Sequence, residues 1–264
     1  MTERVLVEIH EHVAHVRLHR PDRHNGLDLA MFEGIVAAAD SLAARGDVRA
    51  VVLSGEGKSF CAGLDFQSFM TDPSNNRRLL ERPEGEVANL AQAVSWKWTA
   101  LPVPVVAALH GAVFGGGLQI ALGADVRIAS RDVRMSVMEI EYGLVPDMGL
   151  TQTLPRLVRA DVARELAFTG RVVEAEEAAA IGLVTRLADD PLAEAMALAR
   201  SIASRSPDAV RRAKRLLRDS HGMSPAESFA LETSLQLELL GTPNQLEAVR
   251  ARLTKSPASF RDPS

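Results

Sequence analysis

Residues 103 to 122 narrow the local architecture more than any other part of the chain. Val103 to Leu109 is an apolar run of strand length that stops at His110-Gly111, and Gly115-Gly116-Gly117 then opens an apolar helix, Leu118 to Leu122. A strand with no polar alternation is one buried on both faces. A helix that begins on three glycines leaves its first N–H groups bare at its positive end. Such an end suits an anion, or a carbonyl oxygen that gathers negative charge. A purely structural turn explains the glycines equally well. The glycines do not follow G-x-G-x-x-G, so a dinucleotide fingerprint is a poor fit.

The flanking segments keep the same order. Val5, Val7 and Ile9 alternate with Leu6, Glu8 and His10. Beyond a polar break at Glu11-His12, Ala14, Val16 and Leu18 alternate with His15, Arg17 and His19, which predicts a β-hairpin. Asp28 caps a predicted helix whose apolar face is Leu29, Phe32, Ile35, Ala39 and Leu42. Ala50 to Leu53 and Val126 to Ala129 read as further buried strands. Residues 66 to 87 are polar and read as a mobile, irregular segment running into a helix. Strands each followed by a helix predict an α/β fold.

The last third is nearly all helical by pattern. Ser206-Pro207 offers an N-cap with proline at the first helical position. Ser224-Pro225-Ala226-Glu227 and Thr242-Pro243-Asn244-Gln245 both fit a capping box, with Gly241 as the stop between the two helices. The division this suggests is an α/β core over residues 1–190 and a helical region over 191–264.

Composition excludes several classes. The chain has 264 residues, 47% of them hydrophobic, and a net charge of -4, so no global pull toward nucleic acid or an anionic membrane is expected. The apolar stretch Leu101 to Leu109 is too short to span a bilayer, and a lone Cys61 forms no intrachain disulfide. A soluble, cytoplasmic protein is the expectation. His10, His12, His15, His19 and His24 cluster near the start without matching carboxylate spacing, so no metal site is expected. Arg211, Arg212, Lys214, Arg215 and Arg218 crowd one predicted helix and read as a solvated face, with phosphate or subunit contacts as alternatives.

A second glycine-containing turn, Ser59-Phe60-Cys61-Ala62-Gly63-Leu64-Asp65, follows a strand, and its small residues let backbone approach a ligand closely. Together with Arg20-Pro21, Asn25-Gly26-Leu27, the stretch Pro104 to Gly117, Glu139, Gly143, Pro146, Gly149, the stretch Glu174 to Val184 and the tail Leu253 to Phe260, these motifs stand in the order found in the crotonase (enoyl-CoA hydratase/isomerase) family, which the chain resembles over nearly its whole length. The resemblance implies a spiral of ββα units with a helical C-terminal trimerisation region, and so a homotrimer or a dimer of trimers. It implies an acyl-CoA thioester substrate whose oxygen is held by the backbone N–H groups of Leu64 and Gly116. It places CoA near Ala62 and the segment from Arg23 to Leu27, with no cofactor besides the CoA of the substrate.

The acid/base positions depart from the hydratase pattern. Hydratases of the family use two glutamates; Glu139 matches one, and Gln119 stands where the other would be. An amide can orient a water but cannot take its proton. Asp147 lies eight residues after Glu139, the separation at which the family's dienoyl-CoA isomerases carry a glutamate and an aspartate, although those isomerases also carry an aspartate where this chain has Gln119. A Glu139/Asp147 pair, with Gln119 lining the site, favours double-bond isomerisation over efficient hydration. Each has a plainer reading: Glu139 facing solvent, Asp147 capping a turn, Gln119 structural. Asp65 reads as a local cap, Cys61 as a small packed residue and His110 as a loop support. The alternative function is a non-catalytic acyl-CoA-binding protein. A serine peptidase on a related fold lacks a serine at an evident nucleophile position.

Overall fold

The computed structural model describes residues 3–72 and 74–263. The chain opens with an antiparallel hairpin, β1 (Val5–His10) and β2 (Val13–Leu18), in register from Val5 opposite Leu18 to His10 opposite Val13. Helix α1 (Leu29–Ala43) starts where the Asp28 side chain accepts the Met31 N–H, and strand β3 (Ala50–Gly55) follows. Residues 66 to 87 depart from expectation, because they contain helices α2 (Phe66–Thr71) and α3 (Ser74–Leu80). These helices bury only Phe69 and Leu79, too few apolar positions to leave a period in the sequence.

Helix α4 (Leu90–Ala100), opened by an Asn89/Gln92 capping box, leads to β4 (Val105–Leu109), β5 (Ala112–Phe114), α5 (Gly116–Leu122), β6 (Val126–Ala129) and β7 (Arg134–Ser136). The chain continues through α6 (Leu150–Thr153), α7 (Ala160–Thr169), β8 (Val173–Glu174), α8 (Ala175–Ala180) and β9 (Arg186–Leu187). Helices α9 (Pro191–Ala203), α10 (Pro207–Asp219), α11 (Pro225–Leu237) and α12 (Pro243–Thr254) complete it.

The large sheet runs β1-β2-β3-β4-β6-β9, parallel from β2 onward, and the small sheet runs β5-β7-β8. Successive turns of the spiral give one strand to each sheet, β4 then β5 and β6 then β7. Side chains alternate across the large sheet as the pleat requires. Leu53, Ala107 and Leu109 face the main core with Phe32 and Trp98. Val52, Val106 and Ile128 face the other way, onto Ala195, Ala199 and Ala203 of α9. Alanines at every fourth position form one smooth stripe, so α9 lies close to the sheet. Among the described residues no helix is long and apolar enough to cross a membrane.

The basic run on α10 is a brace rather than a solvated face. Lys214 is buried, and its Nζ donates to the Trp98 and Val103 carbonyls and to Asp125 Oδ2. Arg218 donates to the Ala100 carbonyl, and Arg211 to those of Arg45 and Val48. Of these, the Trp98, Ala100 and Arg45 carbonyls lie at or within two residues of the carboxyl ends of α4 and α1, where cations are favoured. Arg212 and Arg215 instead pair with Glu238 and Asp219. The caps of the helical region hold with one exception: Ser224 and Glu227 form the full box, whereas the Gln245 side chain accepts from Gly241, one residue before the Thr242 cap.

Replacing Lys214 with Met keeps the stem and removes the ammonium, leaving the Trp98 and Val103 carbonyls without their donor, while exposed Asp125 keeps the Val105 N–H. Denaturant unfolding of Lys214→Met should show a loss of about 2 kcal/mol, the cost of buried acceptors left unsatisfied. A change below about 0.5 kcal/mol, the level of a neutral surface substitution, would contradict the brace.

Candidate active site

Residues 60–65 run between two other backbone segments. On one side Ala62 N–H donates to the His24 carbonyl, Leu27 N–H to Gly63, and Asp65 N–H to Leu27. On the other side Cys61 N–H donates to Ala112, and Phe114 N–H to Cys61. The Asn25 side chain fixes this arrangement from within: buried, it donates to the Glu56, Ser59 and Phe60 carbonyls and accepts from Arg20 N–H. Arg20 also ties Gly26 to Asp65, and Asp65 caps α2 by accepting the Ser68 N–H. Cys61 is buried, donates to the Asn25 carbonyl, and has a thiol pKa pushed up to about 12 by burial, which removes it as a nucleophile.

This arrangement aims two amides. In a trans peptide the N–H points opposite to the preceding C=O. The Gly63 carbonyl faces Leu27, so Leu64 N–H faces away from it, toward the side where α5 begins. The Gly115 carbonyl accepts from Gln119 N–H inside the helix, so Gly116 N–H points outward from the helix start. Among the described residues neither Leu64 N–H nor Gly116 N–H has an acceptor. Glycine is required at both loops. A Cβ on Gly63, where φ is +91°, would lie 2.8 Å from the Phe114 oxygen. One on Gly116 would lie 2.7 Å from Met148 Sδ, and one on Gly117 2.3 Å from the Cys61 oxygen.

Both amides border a cavity of about 550 Å³. Its walls come from residues 62–64, the start of α5, helices α2 and α3, and the segment 138–148. Most of the surface is apolar, with Phe32, Phe69, Leu79 and Met148 among the lining side chains. Phe66 stacks on Tyr142 beside it, ring centres 4.2 Å apart. Glu139 and Asp147 stand on the same wall.

Glu139 sits in a 3-10 turn (Met138–Tyr142) directly after β7, and the pairing of β7 with β5 brings it against Gly115. Burial raises the pKa of its carboxyl above the usual glutamate range, and the charge of Asp147 adds to the rise. The Asp147 carboxyl, more open to solvent, is also raised, by partial burial. Glu139 Oε1 accepts from Gln119 Nε2 at 2.6 Å, while Oε2 is buried with no hydrogen-bond partner among the described residues.

Of the residues singled out in the sequence, Ala62, Leu64, Gly116, Glu139 and Asp147 line the cavity. Gln119 does not line it, contrary to expectation: it is buried behind Glu139, with its Oε1 accepting Met148 N–H at 2.9 Å. Arg23 is exposed outside the cavity wall. Leu27 is buried, with both backbone groups engaged by residues 63 and 65. Sequence reasoning named Asn25 within a motif but missed its part as the internal brace, and it missed Met148, whose part is played by a backbone N–H that leaves no trace in residue type. It also missed Tyr142, the only tyrosine in the chain.

Residues 8–263 match the family described as enoyl-CoA hydratase/isomerase. The human mitochondrial delta(3,5)-delta(2,4)-dienoyl-CoA isomerase is 34% identical over 259 residues, which cover 91% of this chain and 76% of that one. The crystal structure of enoyl-CoA hydratase from Mycobacterium tuberculosis superposes with a TM-score of 0.86 at 30% identity, covering 98% of this chain and 99% of that one. That of Pseudomonas aeruginosa DspI gives 0.89 at 30% identity, covering 98% and 97%.

The raised pKa of Glu139 links to stability. The folded state binds this proton more tightly than the unfolded chain does. The stabilisation is therefore complete below the unfolded pKa and is lost as pH rises through the folded value. Glu139→Gln should raise the melting temperature at pH 8, and the gain should shrink toward zero near pH 4. A gain equal at both pH values would contradict the assigned shift.

Proposed function

The chain belongs to the enoyl-CoA hydratase/isomerase family, and on that premise we propose that it moves a double bond along an enoyl-CoA thioester by proton transfer, in preference to adding water. The observation that carries this reading is the carboxyl set: Glu139 and Asp147 on one cavity wall, with an amide, Gln119, at the remaining acid/base position.

The thioester oxygen takes the place between Leu64 N–H and Gly116 N–H. One carboxylate removes a proton from a carbon activated by the thioester. The electron pair passes to the thioester oxygen, forming an enolate that the two amides stabilise; one such donor is worth roughly 3–4 kcal/mol. The other carboxyl returns a proton farther along the chain, so the double bond shifts and no atom is gained or lost. Asp147, open to solvent, exchanges its proton with water, and Glu139, half-buried, serves as the principal acid/base. Raised pKa values on both suit groups that must give a proton as well as take one. Hydration asks for a second carboxylate to activate water, and Gln119 cannot accept that proton. We assign the nucleotide of CoA to the surface outside Ala62, with exposed Arg23 close to its phosphates and Leu27 holding the loop behind. Loss of chemistry in favour of acyl-CoA binding alone is disfavoured by the retained carboxyl pair on the cavity wall.

The helical region supports assembly with further copies of this chain. Phe229, Leu237, Leu246 and Leu253 on α11 and α12 are exposed, apolar side chains that a subunit contact would cover. Sedimentation should give a trimer or a dimer of trimers; a monomer at micromolar concentration would contradict this.

The catalytic reading is tested with dienoyl-CoA and enoyl-CoA substrates. Isomerisation should exceed hydration, and Glu139→Gln and Asp147→Asn should each lower isomerisation by about 10²–10⁴-fold. Robust hydration, abolished by Glu139→Gln and untouched by Asp147→Asn, would overturn it.

A further inference from the structure

The Gln119 carboxamide has two partners, and one of them fixes its orientation. Met148 N–H can only donate, so the atom facing it at 2.9 Å must be the carboxamide oxygen. The NH2 group is thereby turned to Glu139 and donates to Oε1 at 2.6 Å. Turning the amide over would set NH2 against N–H and carbonyl oxygen against carboxylate, breaking both bonds in a buried place. Gln119 itself is 1% exposed, so its carboxamide depends on these two protein partners.

We propose that Gln119 is a positioning residue that confines the working proton of Glu139 to Oε2 and holds that oxygen in register with the Asp147 segment through the Met148 amide. The inference rests on the acid/base role proposed above for Glu139. In the neutral acid the carbonyl-type oxygen accepts better than the hydroxyl, so the Gln119 donor keeps Oε1 as the carbonyl oxygen and protonation falls on Oε2, the oxygen without a partner. The glutamate thus works through one defined atom. Met148 directly follows Asp147 in the chain, so a single carboxamide sets the placement of both carboxyls. Asp147 is the charged group that acts on Glu139, and α5 faces it with Gln119 alone, a neutral donor. A carboxylate at position 119 could accept the Met148 N–H but would bring a second negative charge, with no donor, against Oε1.

The test reads the Glu139 titration directly, as the carboxyl signal in infrared or carbon NMR spectra that disappears in Glu139→Gln. Gln119→Leu removes the donor, and Gln119→Glu, which keeps an acceptor for Met148 N–H, serves if the leucine variant does not fold. The titration midpoint should move to higher pH in either variant, because the ionised form loses its hydrogen bond or gains a like charge. Isomerisation kcat should fall by about 10²-fold with KM little changed, the pattern of a displaced reacting group. A folded variant whose Glu139 midpoint stays at the wild-type pH overturns the proposal, whatever its activity. Absence of isomerisation in the wild type, with the midpoint still moving in the variants, would refute the proposed reaction and leave the role of Gln119 standing.

Discussion

The close approach of the first turn of α5 to residues 61–63 is the constraint on which the rest depends. No side chain stands between them, because a Cβ at Gly117 would fall 2.3 Å from the Cys61 oxygen and one at Gly63 2.8 Å from that of Phe114. Backbone therefore meets backbone, and each loop leaves one N–H unused on the cavity side. The cost of bare amides near an apolar cavity falls on the fold. Asn25 offsets it by satisfying three other carbonyls of the same loop, and Arg20 by tying the loop to Asp65.

The carboxyls depend on the same junction. Gly115 N–H donates to Ser136 at the end of β7, and the turn that follows delivers Glu139 against Gly115. Glu139 and the Gly116 amide thus share one structural origin, the pairing of β5 with β7. Burial pushes the Glu139 carboxyl toward its neutral form, and Gln119, donating to Oε1, leaves Oε2 as the oxygen proposed to carry the proton. The brace from α10 holds α4 and β4, the strand from which this junction begins.

Much of this architecture is legible in the order of residues alone. Alternation marks the hairpin, Asp28 marks the start of α1, the apolar run up to His110-Gly111 locates β4, and the glycine triplet after it locates α5. The motif positions of Leu64, Gly116, Glu139 and Asp147 lead to residues that line one cavity. What escapes is orientation. Gln119 has the expected place in the chain, yet it faces the back of Glu139, because its partners are a backbone N–H and a side chain from distant segments. The polar helix α3 escapes because Ser74-Asn75-Asn76-Arg77-Arg78 has no apolar period, and its one buried residue, Leu79, takes its place from packing. The basic run on α10 misleads for a similar reason: charge in sequence does not say whether its partner is water or the carbonyls of another helix.

The central claim is that two unsatisfied amides converge on a thioester oxygen, and the carbonyl stretch of a bound, carbonyl-13C-labelled acyl-CoA reports it most directly. Polarisation by both donors predicts a stretch at clearly lower frequency in the complex than in water. A frequency equal to or above the aqueous value, with the ligand demonstrably bound, would mean that the Leu64 and Gly116 amides do not reach the oxygen, and the account would fail.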